Sequence, residues 1–367
     1  MKRRCFLLFF LLILLYNGAA SADALSAAVI DLETGRVLYE KNADQELPMA
    51  STTKIMTALL AIENCELSEI VTAGENAYGV SGTSIYLEKG ESLTMEQMLY
   101  GLMLASGNDA AVAIAEHVGG SVFAFCGMMN ARAAEIGCAH THFVTPHGLP
   151  AQGHYTTAHE LCLIAREAMR LPFFRQVVST QRATIPWSGH DYDRVLTNKN
   201  KLLSTYAGAI GVKTGYTKAA GRCLVFAAER DGLTVVGAVL NCPDWFDQSA
   251  ALLDQVFDTY HVYTALQAGE IVYRLPVTGG VSDGVDLVTA AVLRAPIAGN
   301  ESVQLTFEWP EELAAGFEAG DAVGSASLIA NGEVLCSVAL VTAEGVPEST
   351  FLTDVERTLE QWLLWTK

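Results

Sequence analysis

The sequence predicts an α+β fold in which helices cover an antiparallel sheet, followed by a small all-β domain. Strand-like segments lie at both ends of the first 266 residues, and helical patterns fill the region between them. Short β-like runs separated by turn residues follow from about residue 267 to 345. With 367 residues, 51% of them hydrophobic, the chain is long enough to bury the cores of two domains.

Residues 1–22 have the pattern of a secretory signal peptide. A basic start precedes an apolar run from Phe6 to Leu15 and the small residues Ala20-Ser21-Ala22. The run is short for a membrane span, so we expect cleavage and export rather than a retained anchor. Cleavage removes three basic and no acidic residues, which moves the formal net charge from −18 to −21 and argues against nucleic acid as a partner.

The first predicted domain, residues 23–266, begins with two strands in LSAAVIDLETGRVLYE, joined by a turn at Glu33-Thr34-Gly35. A helix follows, in which apolar residues recur at helical spacing. Lys54 lies three positions after Ser51, so a helix places its amine beside the serine hydroxyl. A serine becomes a nucleophile when a base takes its proton, and burial lowers the pKa of a lysine enough for that role.

The middle and end of this domain supply two further candidate segments. TMEQMLYGLMLASGNDAAVAIAEHVGG predicts two helices broken at Ser106-Gly107-Asn108, where a hydroxyl and an amide can be presented, with a stop at Gly119-Gly120. Helical patterns continue to about Arg170. GVKTGYTKAAGRCLVFAAERDGLTVVGAVLN predicts three strands, and Gly215 on the first permits close approach of a ligand. A helix is expected from about Trp245 to Leu266.

The C-terminal part divides into two predicted pieces. Residues 267–346 form the all-β domain, for which we expect a structural or spacing role. Residues 347–367 form an amphipathic helix with a broad apolar arc that contains two tryptophans. The members of this arc are Phe351, Leu352, Val355, Leu359, Trp362, Leu363 and Trp365.

The three short motifs occur in a recognisable order. SxxK alone is a weak signal, but SxxK at Ser51, SxN at Ser106 and KTG at Lys213, each on the expected element, form the set of penicillin-recognising serine enzymes. The chain resembles the serine-type D-alanyl-D-alanine carboxypeptidases, the low-molecular-mass penicillin-binding proteins, from about residue 25 to 266 and more weakly beyond. The segments PHGLPAQGHYTTAHEL, TNKNKLL and GVKTGYTKAAGRCLV extend the resemblance.

The resemblance implies the fold of these enzymes and a role for each motif residue. Ser51 would be the acylated nucleophile, Lys54 its general base and Ser106 a proton relay to the leaving amine. The implied substrate-binding residues are Asn108, Lys213, Thr214, Gly215 and Tyr216, with the backbone N–H groups of Ser51 and Tyr216 as the oxyanion hole. The expected substrates are peptidoglycan stem peptides ending in D-Ala-D-Ala, and β-lactams would acylate Ser51. The resemblance also implies peripheral contact of the C-terminal helix with the outer face of the cytoplasmic membrane.

Several alternatives remain open at this point. A β-lactamase of class A carries Asp in the middle of SxN and a separate glutamate, whereas this chain has Gly107 and lacks ExxLN. A transpeptidase, an endopeptidase or a penicillin sensor that acylates without turnover fits the same motifs. Five histidines between His140 and His159 suggest zinc, but HExxH is absent, so we expect neither metal nor cofactor. The seven cysteines after residue 22 lack CxxC spacing, and we expect mostly buried free thiols.

Overall fold

The computed structural model describes residues 23–353 together with 355 and 359. The predicted signal peptide and most of the predicted C-terminal helix therefore lie outside the described residues. The predicted α+β class is confirmed: helices cover a five-stranded antiparallel sheet, and an all-β unit follows it.

In the first unit the strands lie mainly before and after a block of five consecutive helices, and the second unit is built from strands. In chain order they are β1 Ser26–Asp31, β2 Val37–Lys41, β3 Ile70–Thr72, β4 Ser92–Thr94, β5 Arg182–Ile185, β6 Arg194–Thr197, β7 Ala209–Thr217, β8 Gly221–Arg230, β9 Leu233–Leu240, β10 Tyr260–Leu266, β11 Ile271–Thr278, β12 Gly284–Thr289, β13 Leu293–Ala298, β14 Val303–Glu308, β15 Leu313–Ala314, β16 Ala322–Ala330 and β17 Glu333–Thr342. The main sheet has the order β2-β1-β9-β8-β7, which leaves β7 at an edge.

The helices pack on both faces of that sheet. They are α1 Lys54–Asn64, α2 Met95–Met103, α3 Asn108–Gly119, α4 Val122–Ile136, α5 Ala158–Arg170, α6 Pro172–Ser179, α7 Leu202–Thr205 and α8 Trp245–Thr259. One core lies between the sheet and the group α1 to α6, and a second core lies under α8. Burying both faces of the sheet follows from its apolar strands, of which β8 and β9 are buried over most of their length.

Local signals explain most of the element boundaries. The break at Ser106-Gly107 separates α2 from α3, and α3 stops at Gly120, which has φ +73°. The turn Asp231-Gly232, with φ of +50° and +80°, joins β8 to β9 as predicted. Helical structure continues past Arg170 into α6.

The helix predicted from Trp245 to Leu266 is wrong in its last part. Helix α8 ends at Thr259, and the residues that follow form β10, which pairs antiparallel with β13. The pairing links this strand to the C-terminal strands. Two charge pairs, Arg36 with Glu301 and Arg294 with Glu33, join the N-terminal hairpin to the C-terminal unit.

The C-terminal unit is built from a six-stranded sheet in the order β14-β16-β17-β12-β11-β15 and the β10–β13 pair. Two small apolar cores support it. After it, Phe351, Leu352 and Thr353 are helical, and the side chains of Phe351 and Leu352 are 82% and 73% exposed. Among the residues described, no single helix is long and apolar enough to cross a membrane; the helices α3 and α4, bent by 82° at their break, meet the length and composition only as a pair.

All seven cysteines of the described chain are free thiols, and five of them are buried. This agrees with the expectation of mostly buried free thiols.

Candidate active site

Ser51 lies in a 3₁₀ turn, Ala50–Thr53, that leads directly into α1. Ala50 has φ +49°, a conformation that costs energy for a residue other than glycine and is held by its surroundings. The Thr53 hydroxyl donates to the Ala50 carbonyl at 2.8 Å and lies 2.9 Å from His154 Nε2. A Cβ added at Gly148 would stand 1.8 Å from the Ala50 oxygen, so the 146–149 loop packs directly against this turn.

Lys54, the first residue of α1, is fully buried and carries three polar contacts at its amine. Its Nζ lies 3.1 Å from Ser51 Oγ, 2.7 Å from Asn108 Oδ1 and 2.8 Å from the His147 carbonyl oxygen. The predicted juxtaposition of the serine hydroxyl and the lysine amine is therefore present in the structure. The contacts with Asn108 and with the His147 carbonyl hold the lysine amine next to the serine hydroxyl.

The charge state of Lys54 is set by its surroundings. Burial, followed by the charges of Lys213 and Lys199, holds the pKa of Lys54 well below its ordinary value, and Asp109 acts in the opposite direction. A lowered pKa favours the neutral amine, which can accept the proton of a hydroxyl. The site thus contains a lysine suited to act as a base.

Asn108, the first residue of α3, is held in place for its contact with Lys54. Asn108 accepts from the lysine through Oδ1 and donates through Nδ2 to the Ser81 carbonyl at 2.7 Å, so both ends of the amide are used. The next residue, Asp109, is buried and accepts from the Ser84 hydroxyl at 2.6 Å and from the backbone N–H groups of Ile85 and Leu87. Asp109 therefore ties the 84–87 segment to α3. Sequence reasoning missed it.

Ser106 stands at the break between α2 and α3 with φ +65° and lines the same cleft as Ser51. The middle residue of the triplet has no room for a side chain. A Cβ on Gly107 would lie 2.8 Å from Asp109 Oδ1 and 3.2 Å from Ile85 Cγ2. An aspartate in this position, as in class A β-lactamases, does not fit this arrangement without a local shift.

Strand β7 forms the opposite wall of the site. A Cβ on Gly215 would lie 2.9 Å from the backbone nitrogen of Ser51 and 3.1 Å from the Met49 oxygen, so β7 touches the nucleophile turn backbone to backbone. The sequence predicted a close approach at Gly215 but assigned it to a ligand. Tyr216, next on the strand, is 63% exposed.

Lys213 is buried beneath the wall rather than displayed on it. Its side chain is almost fully covered, and its Nζ donates to the Thr214 carbonyl at 2.9 Å. Burial, and then the charge of Lys199, lower the pKa of Lys213 to about 7. Lys199 itself reaches the cleft, 3.5 Å from Thr83 Oγ1. The sequence showed it only as part of TNKNKLL, without a role.

A cleft of about 690 Å³ joins these walls. Its lining contains residues of the three motifs and of the segments around them, and is formed by Ser51, Thr83, Ser106, Lys199, Lys201, Thr205, Thr214, Gly215, Tyr216, Arg222, Pro243, Asp244, Trp245, Phe246 and Asp247. The size suits a peptide segment. A second cavity, of about 390 Å³, lies away from Ser51, between the N-terminal hairpin and β13.

Four of the five histidines that suggested zinc make separate hydrogen bonds, and the Nδ1 of the fifth, His159, lies 3.8 Å from Asp44 Oδ1. His154 contacts Thr53 Oγ1, His142 contacts the Gly153 carbonyl oxygen, and His140 lies 3.1 Å from Glu46 Oε1. His147 contributes its carbonyl oxygen to Lys54. Within the described residues no three of these histidines lie close enough to share an ion.

A buried lysine beside a serine at the head of a core helix, faced by SxN and by a KTG edge strand, defines a penicillin-recognising serine enzyme. The model of the D-alanyl-D-alanine carboxypeptidase family matches residues 16–244, and the model of the penicillin-binding protein 5 C-terminal domain matches residues 257–348. The chain belongs to the D-alanyl-D-alanine carboxypeptidase family and is a serine peptidase.

Individual relatives agree with this assignment. D-alanyl-D-alanine carboxypeptidase DacF of Bacillus subtilis is 32% identical over 351 residues, which cover 93% of this chain and 90% of DacF. The structure of penicillin binding protein 5 from Haemophilus influenzae superposes with a TM-score of 0.75 at 26% identity, covering 89% of this chain and 98% of that one. A mutant Streptomyces DD-transpeptidase is 37% identical with a TM-score of 0.61, over 64% of this chain and 98% of its own.

Proposed function

We propose that this protein removes the terminal D-alanine from peptidoglycan stem peptides ending in D-Ala-D-Ala, through an acyl-enzyme on Ser51. The observation that carries the proposal is the 3.1 Å contact between Ser51 Oγ and Lys54 Nζ, in surroundings that lower the pKa of the lysine. The family assignment supports the reaction class, and the cleft supports a peptide substrate.

In the acylation step, neutral Lys54 takes the proton of the Ser51 hydroxyl, and the oxygen attacks the carbonyl carbon of the penultimate D-alanine. The backbone N–H groups of Ser51 and Tyr216 are proposed to stabilise the oxyanion. The close packing of Gly215 on Ser51 supports this pairing, because it holds the two backbone segments at a fixed separation. The amine of D-alanine leaves with a proton passed from Lys54 through Ser106, and water then hydrolyses the ester.

The terminal carboxylate of the substrate needs a cationic wall. Lys213 supplies charge from below, Thr214 supplies a hydroxyl on the cleft surface, and Lys199 supplies a second ammonium group on that surface. A bound carboxylate stabilises the protonated form of Lys213, whose pKa is otherwise lowered to about 7. Asn108 is proposed to orient the peptide amide through the second hydrogen of Nδ2, while Oδ1 holds Lys54.

Two alternatives share this chemistry up to the acyl-enzyme. Transfer to an amine acceptor is favoured by the match to a DD-transpeptidase over the catalytic region, and a sensor would stop at acylation. D-alanine release from a tripeptide ending in D-Ala-D-Ala separates them. We expect steady release by the wild type and none by Ser51→Ala. A single stoichiometric burst would identify a sensor, and a requirement for an added amine would identify a transpeptidase.

The exported form is proposed to lie peripherally on the outer face of the cytoplasmic membrane. The exposed Phe351 and Leu352 begin the apolar arc of the C-terminal segment, which supports insertion into a membrane interface. The segment lacks the Lys/Arg richness typical of interfacial helices, so the apolar face must supply the binding energy. Fractionation of the mature chain with and without residues 348–367 tests this. Loss of membrane binding on truncation is expected, and equal binding of both forms would refute it.

A further inference from the structure

A cluster of three potential metal ligands lies on the surface away from the cleft. Cys65 caps the C-terminus of α1, Glu69 lies just before β3, and His117 lies in the last turn of α3. Their ligand atoms, one sulfur, one carboxylate oxygen and one imidazole nitrogen, all lie within 4.8 Å of one another. The sequence gave no sign of this group, because His117 is far from the other two residues along the chain.

The three side chains are already oriented toward a common point. Glu69 Oε1 accepts from the backbone N–H of Glu66 at 2.7 Å, which turns Oε2 toward His117 Nε2 at 3.1 Å. The Cys65 sulfur lies within 4.8 Å of both the Glu69 carboxylate oxygen and the His117 ring nitrogen. His117 is carried by a long helix with a buried face, and Cys65 is fixed by its backbone bond to Ala61. Small side-chain shifts suffice to bring the three atoms onto one ion.

We propose that Cys65, Glu69 and His117 bind a zinc ion, with water in the fourth position. Thiolate, imidazole and carboxylate are the three side-chain ligand types that Zn²⁺ takes, at about 2.0 to 2.3 Å in tetrahedral geometry. Calcium and magnesium favour oxygen ligands, so the thiol and the imidazole select against them. A zinc ion here would differ from the sequence-based expectation of no metal, and the cluster takes no part in the chemistry at Ser51.

Charge and protons balance in this step. The ion forms bonds to the sulfur of Cys65, to Nε2 of His117 and to Oε2 of Glu69, and the thiol proton is released to solvent. The hydrogen that His117 Nε2 donates to Glu69 Oε2 in the ion-free protein is lost from Nε2 by exchange with solvent, so the zinc-bound imidazole is neutral and carries its hydrogen on Nδ1. One thiolate and one carboxylate neutralise Zn²⁺. Without an ion, burial and the adjacent Glu69 raise the pKa of the Cys65 thiol, so the sulfur stays protonated.

The ion would connect the C-terminal ends of two functional helices. Helix α1 carries Lys54 at its other end, and α3 carries Asn108 at its start. A zinc ion bound by both Cys65 and His117 would therefore fix the relative position of α1 and α3, whose N-termini form the contact between Lys54 and Asn108. We expect a higher Tm for the zinc-bound protein.

Titration of the mature protein with Co²⁺ tests the site, because cobalt bound to a thiolate absorbs strongly in the near-ultraviolet. We expect a saturable band with one equivalent of Co²⁺, reversed by added Zn²⁺. Cys65→Ser should abolish the band, and His117→Gln and Glu69→Gln should each weaken Co²⁺ binding about tenfold or more. Zn²⁺ should raise the Tm of the wild type and leave that of Cys65→Ser unchanged.

The matched control is Cys336→Ser, which removes the other half-buried thiol and should leave the band intact. Acylation by a fluorescent penicillin reports folding of every variant, since it reads Ser51 rather than the cluster. The proposal is overturned if the wild type shows no near-ultraviolet band at saturating Co²⁺, or if the band persists in folded Cys65→Ser. Failure here leaves the peptidase assignment untouched, and absent peptidase activity leaves this site untouched.

Discussion

Replacing Gly215 with alanine tests how closely β7 holds the nucleophile. The new Cβ would stand 2.9 Å from the Ser51 nitrogen and 3.1 Å from both the Met49 oxygen and the Thr52 nitrogen, all backbone atoms that cannot rotate away. Ordinary contact begins at about 3.4 Å, so β7 and the serine turn must separate by about 0.5 Å. Gly215 does not have a positive φ, and the effect is therefore steric rather than conformational.

The size of the effect follows from that displacement. A misplacement of 1 Å in a catalytic arrangement costs about 100-fold in rate, so about 0.5 Å costs about tenfold, or about 1.4 kcal/mol in barrier. Overpacking also destabilises the fold by about 1–3 kcal/mol. The assay is the second-order rate constant for acylation by a fluorescent penicillin, with urea unfolding of the same preparation.

Gly127→Ala is the matched control. Gly127 lies in α4, has an exposed position, and a Cβ there would meet nothing within 4 Å. We expect unchanged acylation and about 0.5–1 kcal/mol of added stability. A wild-type rate constant for acylation of the Gly215→Ala protein would refute the close backbone contact between β7 and Ser51.

Three further predictions follow from the same contacts. Lys54→Ala should abolish acylation of Ser51, whereas Lys213→Ala should mainly raise KM; steady-state kinetics distinguish the two effects. Near-normal acylation of the Lys54→Ala protein would contradict the assignment of Lys54 as the base. Burial lowers the pKa of Lys213 to about 7, so between pH 7 and 9 this lysine takes up a proton when the protein unfolds. The free energy of unfolding should therefore rise with pH by up to about 1.4 kcal/mol per pH unit. Urea unfolding at several pH values should give Lys213→Met a smaller increase per pH unit than the wild type, and an equal increase contradicts this. Glu91→Gln leaves the buried Arg194 guanidinium without its carboxylate and should lower the free energy of unfolding by about 3–5 kcal/mol, as measured in urea. The double variant Glu91→Gln/Arg194→Met should recover part of that stability. An unchanged free energy of unfolding in the single variant would show that the pair is replaceable.

Local patterns were sufficient to predict the reactive pair and its neighbours. The three-residue spacing placed Lys54 beside Ser51, and the Ser-Gly-Asn break separated two helices. The glycine of KTG lies at a close approach, but to the backbone of the Ser51 turn rather than to a ligand. The antiparallel sheet followed from strands at both ends of the domain. The first two features depend on residues near one another in sequence, where helix and turn periodicities apply, whereas the sheet was inferred from the order of strands and helices along the chain.

Features that depend on distant residues were not predictable. The segment Tyr260–Leu266 continues the apolar content of α8, but it becomes a strand because Leu293–Ala298 lies beside it as a pairing partner. Lys199 gains its place in the cleft from a loop next to Thr83. Asp109 gains its role from the backbone N–H groups of the 84–87 segment. None of these partners can be read from the local sequence.

We propose that Ser51 forms the acyl-enzyme and that Lys54 takes its proton. Mass spectrometry of proteolysed protein after exposure to benzylpenicillin locates the acylated residue. We expect one adduct, on the peptide that contains Ser51, and no adduct on Ser51→Ala protein. An adduct on another peptide of the wild type, or an intact adduct on the Ser51→Ala variant, would contradict the account.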